Sequence, residues 1–268
     1  MKSRLLNIIY LTAAVLTFSS CEKTDGALYS GEPNKLSFFT PSLSVNMTGG
    51  ALSIPIARTS TSGELSIPVN LTATGAGYTN VFKLAGPVKF ENGEAKSNVI
   101  VNYGDFSTID PSSLSVSASG TDVKVGLAFP INLTIPDENV SSSNMKTISV
   151  LASNSLEFES KGNTELNSVE GWEGAVLNVG IQKAKGANVY KVVNPFGGGS
   201  FAFMIKADGK TVVFPNGQVI YKHSTYGDVT LNNVTGTVSG NTVTLNVGGY
   251  IVSAGSFGGG VEIIKLPL

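Results

Sequence analysis

A chain of 268 residues with one Cys, one His and one Trp has few of the side chains that usually carry chemistry. A single Cys cannot close a disulfide within the chain, and one His cannot build a zinc site. Only 14 % of the residues are charged, which excludes a coiled coil or a charged disordered chain, and 41 % are hydrophobic, too many for disorder. The formal net charge of -1 lacks the basic footprint of a nucleic-acid binder, so no nucleic-acid partner is expected. Helical periodicity is missing too, since no window of eleven or more residues beyond residue 20 repeats apolar residues at three and four. Present instead are 31 Gly and 11 Pro punctuating short alternating apolar runs, as in an all-β protein of one large domain or two ordinary ones.

The N-terminus carries the most specific signal. Lys2 and Arg4 precede an apolar run from Leu5 to Phe18 that is too short for a comfortable membrane span, and small residues follow. Phe18-Ser19-Ser20-Cys21 resembles the lipobox of bacterial lipoproteins, with Phe18 in the usual place of Leu, a relaxation that resembles the Bacteroidetes version. The resemblance implies a signal peptide over residues 1–20, an acylated Cys21, and attachment to the outer membrane through lipid. Residues 22–34 (EKTDGALYSGEPN) are polar and without period, so 21–34 reads as lipidated Cys and tether. Their acidic residues are similar to the export signals of surface lipoproteins, and both the periplasmic and the cell-surface face of the outer membrane stay open.

Residues 35–152 hold recurrent period-two runs, among them Leu52-Ser53-Ile54-Pro55-Ile56 and Leu65-Ser66-Ile67-Pro68-Val69. Such spacing predicts a two-sheet sandwich with Pro55 and Pro68 at edges or bulges. Ile56-Ala57-Arg58-Thr59, then Val88-Lys89-Phe90-Glu91-Asn92-Gly93-Glu94 and Asn98-Val99-Ile100-Val101, resembles the Calx-beta type of immunoglobulin-like module. Such modules bind calcium through acidic pairs. Here the corresponding place offers Asp105 alone, too few oxygens for that ion, and no metal or other cofactor is expected.

Residues 153–171 shift in composition toward Glu, Ser, Asn and Gly, and read as a linker. Residues 172–268 resume as short strands, with Asp208-Gly209, Asn216-Gly217 and Gly240-Asn241 as two-residue hairpin turns. An antiparallel meander of that length should curl into a barrel or a second sandwich. Its Tyr190–Phe196 run and its Tyr226-Gly227 pair resemble the C-terminal modules of uncharacterised Bacteroidetes surface lipoproteins, a likeness that implies no chemistry.

Catalytic candidates are scarce, and no catalytic residue is assigned. Asp208-Gly209-Lys210-Thr211 lacks the leading glycine of a P-loop, since Ile205 stands there, and no Gly-x-Ser-x-Gly elbow occurs. Glu170 and Glu173 flank the single Trp and are the carboxylates a glycosidase would need if this were one. Aromatic side chains are the stronger lead, because the C–H faces of sugars stack on Trp and Tyr while neighbouring polar groups fix the hydroxyls. Trp172, Tyr221 and Tyr226, with His223 and Asp228 beside them, are the expected binding residues. Most other aromatics of this half belong in the core. The leading expectation is a non-catalytic glycan-binding envelope protein. The alternatives are an adhesion or structural protein that binds another protein through an exposed strand edge, and a glycoside hydrolase. Glycan binding predicts coplanar exposed rings, adhesion a flat apolar patch or open edge, and hydrolysis two carboxylates in a cleft.

Overall fold

The computed structural model describes residues 35–119, 122–142 and 145–267; the leader, Cys21 and the 21–34 tether lie outside the described residues. Everything described is strand and turn apart from a four-residue helix at Tyr78–Val81 and a short 3-10 turn at Asp137–Asn139.

Two sheets form the N-terminal sandwich. One has the order β1 (Leu36–Phe38), β3 (Ala51–Arg58), β8 (Lys96–Asn102), β6 (Lys83–Leu84). The other runs β2 (Ser42–Asn46), β11 (Thr147–Ser155), β10 (Asp122–Thr134), β5 (Asn70–Ala73), with β9 (Ser113–Ser119) also on β10. β2 joins β11 in parallel, and β4 (Leu65–Ile67) pairs with β7 (Val88–Phe90) as a separate ribbon. The alternation read in the sequence is the alternation of the core: Leu52, Ile54 and Ile56 are fully buried while Ser53 and Pro55 face water. Pro55 is tolerated because β1 ends opposite Ile56, and Pro68 lies between β4 and β5 where the chain changes sheet. Phe90 is buried as its place before the Asn92-Gly93 turn requires, and Gly93 takes φ 92° there.

The C-terminal half closes into an eight-stranded antiparallel barrel, which decides between barrel and sandwich. Its order is β12 (Phe158–Asn167), β13 (Val176–Ala184), β14 (Val189–Val193), β15 (Phe201–Ile205), β16 (Thr211–Val213), β19 (Thr235–Ser239), β20 (Thr242–Val247), β23 (Gly260–Lys265), and β23 returns to β12. The segment expected as a linker is strand: 153–155 complete β11 and 158–167 form β12. Its polar composition comes from a solvated face, with Leu166 alone of β12 fully buried. The chain leaves the barrel for a four-stranded sheet, β17 (Gln218–His223), β18 (Gly227–Asn232), β21 (Gly249–Val252), β22 (Gly255–Ser256). Asn216-Gly217 therefore joins strands of different sheets and is no hairpin. Asp208-Gly209 belongs to a longer loop closed by the Lys206 N–H to Thr211 carbonyl bond of 2.8 Å. Gly240-Asn241 is the two-residue hairpin expected, between Ser239 and Thr242.

Barrel and sandwich are packed together. Ala184, Ala187, Val189, Ala202 and Met204 of the barrel join the sandwich's apolar cluster. The Phe106 N–H donates to the Gly186 carbonyl at 2.9 Å, Asn188 Nδ2 to the Ser107 carbonyl at 2.9 Å, and the Ala207 N–H to Asp110 Oδ1 at 2.9 Å. The sandwich thus covers the barrel turns around 186 and 207. The 168–175 turn, closed by the Ser168 N–H to Ala175 carbonyl bond, lies at the other end of the nine-residue β13, on the order of 25–30 Å away. Lys35 sits at the outer end of the sandwich, where its Nζ donates to the Glu138 carbonyl at 2.6 Å and its carbonyl accepts the Thr59 N–H at 2.9 Å. Chain entry and the 168–175 turn therefore occupy opposite poles.

Candidate functional site

Three segments meet at the barrel end that carries the 168–175 turn: that turn, the β17–β18 hairpin and the β21–β22 hairpin. Each contributes rings. Trp172 packs against Tyr221 (centroids 5.8 Å apart), Tyr250 (5.3 Å) and Phe257 (5.6 Å). His223 packs against Tyr221 (6.4 Å), Tyr226 (4.9 Å) and Phe257 (5.8 Å), and Tyr226 meets Phe257 edge to face at 5.7 Å. Such contacts add about 0.5–1.5 kcal/mol per pair beyond area burial. The cluster grades from Tyr250, buried at 3 % exposure, through half-buried Trp172, Tyr221 and His223 to Tyr226 and Phe257, exposed at 42 % and 49 %. Beside the two exposed rings lies a shallow recess of about 200 Å³ lined by Val252, Ala254, Gly255 and Ser256 together with Tyr226 and Phe257.

The sequence-derived candidates Trp172, Tyr221, His223 and Tyr226 therefore come together, although Trp172 and Tyr221 are half covered and not exposed. Asp228 does not join them: it is exposed on β18 opposite Lys222 and makes no ring contact. The rings are inclined by 34–77° to one another and form no coplanar pair. Three different loops supply them, each at its own angle. Phe257, Tyr250 and Glu262 were not among the candidates. Phe257 and Tyr250 read like any core aromatic, and Val261-Glu262-Ile263-Ile264-Lys265 gives no hint of which way Glu262 points.

Glu262 is the unusual group. It lies on β23 opposite Leu245 of the barrel core, so both side chains point inward, and its exposure is 0 %. Oε1 accepts the main-chain N–H of Trp172 at 2.9 Å and the Tyr250 hydroxyl at 2.7 Å. Oε2 is buried and without a hydrogen-bond partner, although the Ser168 hydroxyl is near enough to favour the charged carboxylate. Burial nevertheless dominates and pushes the Glu262 carboxyl above its ordinary range. Tyr250 is likewise pushed up, first by burial and then by the negative charge and hydrogen bond of Glu262.

The other candidates have structural occupations. Glu170 and Glu173 are exposed, and the carboxyl of Glu262, on which their turn is seated, is sealed from solvent. The Asp208 carboxylate accepts the Thr211 hydroxyl and the N–H groups of Thr211 and Lys210, which hold its pKa at about 2 and close the loop. Asp105 accepts both the N–H and the hydroxyl of Ser107. Among the described residues no three His, Cys, Asp or Glu side chains group as metal ligands.

No family model and no curated protein matches the chain. Among solved structures, two Bacteroides ovatus proteins of unknown function give TM-scores of 0.27 and 0.30, both at 9 % identity, covering 89 % and 86 % of this chain and 94 % and 92 % of theirs. A Bacteroides ovatus multidomain protein including DUF1735 gives 0.28 at 9 % identity over 86 % of this chain and 92 % of its own. Likeness at that level carries no inference about fold or function.

Proposed function

We propose that this protein is a non-catalytic, lipid-anchored envelope protein that binds glycans through the aromatic pole of its barrel. The observation that supports this reading most is the gathering of Trp172, Tyr221, His223, Tyr226 and Phe257 from three segments, with Tyr226 and Phe257 open to water and lining an uncharged recess. Sugars offer apolar C–H faces and many hydroxyls, so a shallow aromatic corner with nearby main-chain and hydroxyl groups suits them without a metal or nucleophile. Because Tyr226 and Phe257 meet at 68°, a pyranose lies flat on one ring with its edge against the other.

The polar arrangement of the molecule supports the anchored part of the proposal. The chain enters the described structure at one pole and the rings occupy the other, so an anchor at Cys21 would hold the rings away from the membrane. Palmitate labelling that vanishes in Cys21→Ala tests the anchor.

A second reading, docking of a protein partner, is favoured by two exposed valines (both 54 %), Val169 on the 168–175 turn that carries Trp172 and Val176 at the start of β13 just after it. Trp172 is the one Trp in the chain, so its emission tests the first reading directly. Titration of the soluble chain beginning at Glu22 with neutral oligosaccharides should change Trp172 emission saturably, and should no longer do so in Tyr226→Ala/Phe257→Ala. An unchanged spectrum with every oligosaccharide favours the protein partner.

A further inference from the structure

We infer that Glu262 is the positioning residue of the aromatic site, fixing Trp172 against Tyr250 through a single carboxyl oxygen. The inference rests on the proposal that these rings bind, but its geometry stands on the fold. Trp172 and Tyr250 reach the site on segments far apart in sequence, the 168–175 turn and β21, and the main-chain N–H of Trp172 and the hydroxyl of Tyr250 both donate to Oε1 of Glu262, at 2.9 and 2.7 Å. Their rings lie 5.3 Å apart. No other described side chain accepts from both.

The turn is seated closely on this carboxyl. A Cβ at Gly171 would fall 2.4 Å from Glu262 Oε1 and 2.8 Å from Ser168 Oγ, and one at Gly260 would fall 2.7 Å from the Glu170 carbonyl and 3.0 Å from the Tyr250 hydroxyl. Two positions without side chains thus let the turn approach the barrel mouth. The Val261 N–H to Glu170 carbonyl bond of 2.8 Å and the Glu173 N–H to Ser168 Oγ bond of 3.0 Å complete the seat. The carboxyl lies in a barrel otherwise filled by Leu166, Val243, Leu245 and Ile264, with Oε2 unpartnered. What an apolar side chain would not supply is the shared acceptor.

The experiment compares wild type, Glu262→Leu, Glu262→Gln and Tyr250→Phe by Trp172 emission and acrylamide quenching. Glu262→Leu should move the emission to the red and raise the quenching constant while near-native far-UV circular dichroism is kept. Glu262→Gln, which retains an acceptor oxygen, should restore both readings to wild type. Tyr250→Phe keeps the ring and removes one donor, so its quenching should rise by less than in Glu262→Leu. Should Glu262→Leu not fold, unchanged quenching in Tyr250→Phe overturns the inference, as does wild-type emission and quenching in a folded Glu262→Leu. Affinity for an oligosaccharide bound by wild type should fall about tenfold in Glu262→Leu and recover in Glu262→Gln. If no oligosaccharide binds, the glycan reading fails while the fluorescence comparison still decides the role of Glu262.

Discussion

The Nδ1 of His223 accepts the main-chain N–H of Tyr226 at 3.3 Å, and the two rings lie 4.9 Å apart. The same nitrogen accepts the Thr225 N–H at 3.1 Å, so the imidazole caps the turn that presents the exposed tyrosine. His223→Ala should reduce glycan affinity while changing fold stability by less than about 1 kcal/mol, as expected for bonds in an exposed turn. His223→Asn, whose Oδ1 can cap the same N–H groups, should lose less affinity. Titration calorimetry together with urea unfolding separates the two effects.

Glu262 gives the protein a pH dependence of definite sign. Burial raises its pKa in the folded state above the ordinary 4.5, more than the bonds from Trp172 and Tyr250 and the nearby Ser168 hydroxyl lower it. The folded state then binds the proton more tightly than the unfolded chain. Stability is complete below the unfolded pKa and falls as pH rises through the folded one. Nearby ionisable groups are Tyr250, also pushed up, and Glu173, whose negative charge adds to the rise. Urea midpoints measured between pH 4 and pH 8 should decline in wild type relative to Glu262→Gln. Parallel curves contradict the assignment.

Arg58 is buried at 3 % exposure. Its Nε donates to the Glu94 carbonyl at 2.6 Å and its Nη2 to the carbonyls of Thr61 at 3.0 Å and Glu91 at 2.9 Å, while the guanidinium lies 5.3 Å over the Phe90 ring. Arg58→Ala should cost about 2–4 kcal/mol in chemical denaturation, since it strips charge-assisted bonds from a buried turn. Arg58→Lys should recover only part of that, because a point ammonium cannot span these carbonyls as a planar fork does.

Ala187 is 3 % exposed in the apolar cluster shared by barrel and sandwich. Wild type should therefore melt in a single calorimetric transition. Ala187→Asp places an unpaired charge in that junction, at a cost of several kcal/mol, and should separate the melting of the two units.

The sequence announces this fold through Leu52-Ser53-Ile54 and Thr242-Val243-Thr244-Leu245, because period-two alternation is a local property that one covered sheet face imposes. Closure of β23 onto β12, the parallel pairing of β2 with β11 and the excursion of β17 and β18 out of the barrel are long-range choices with no local mark. The same split divides the site. Trp172 stood out beside Gly171 at the start of the C-terminal half, and Tyr221 and Tyr226 because they bracket a polar loop with His223. Phe257 lies in a Gly-rich turn and Glu262 on a strand whose two faces look alike in sequence, so only register with Leu245 turns the carboxyl inward. Residues 153–171 misled by composition, since an exposed strand face and a linker use the same polar residues.

The central claim is that the barrel pole binds glycans through its rings. The most direct measurement is a glycan array probed with the soluble chain beginning at Glu22, repeated with Trp172→Ala and with Tyr226→Ala/Phe257→Ala, each confirmed folded by circular dichroism. Binding to a defined set of glycans that both variants lose is the predicted result. Binding to none, or binding that survives both variants, would contradict it.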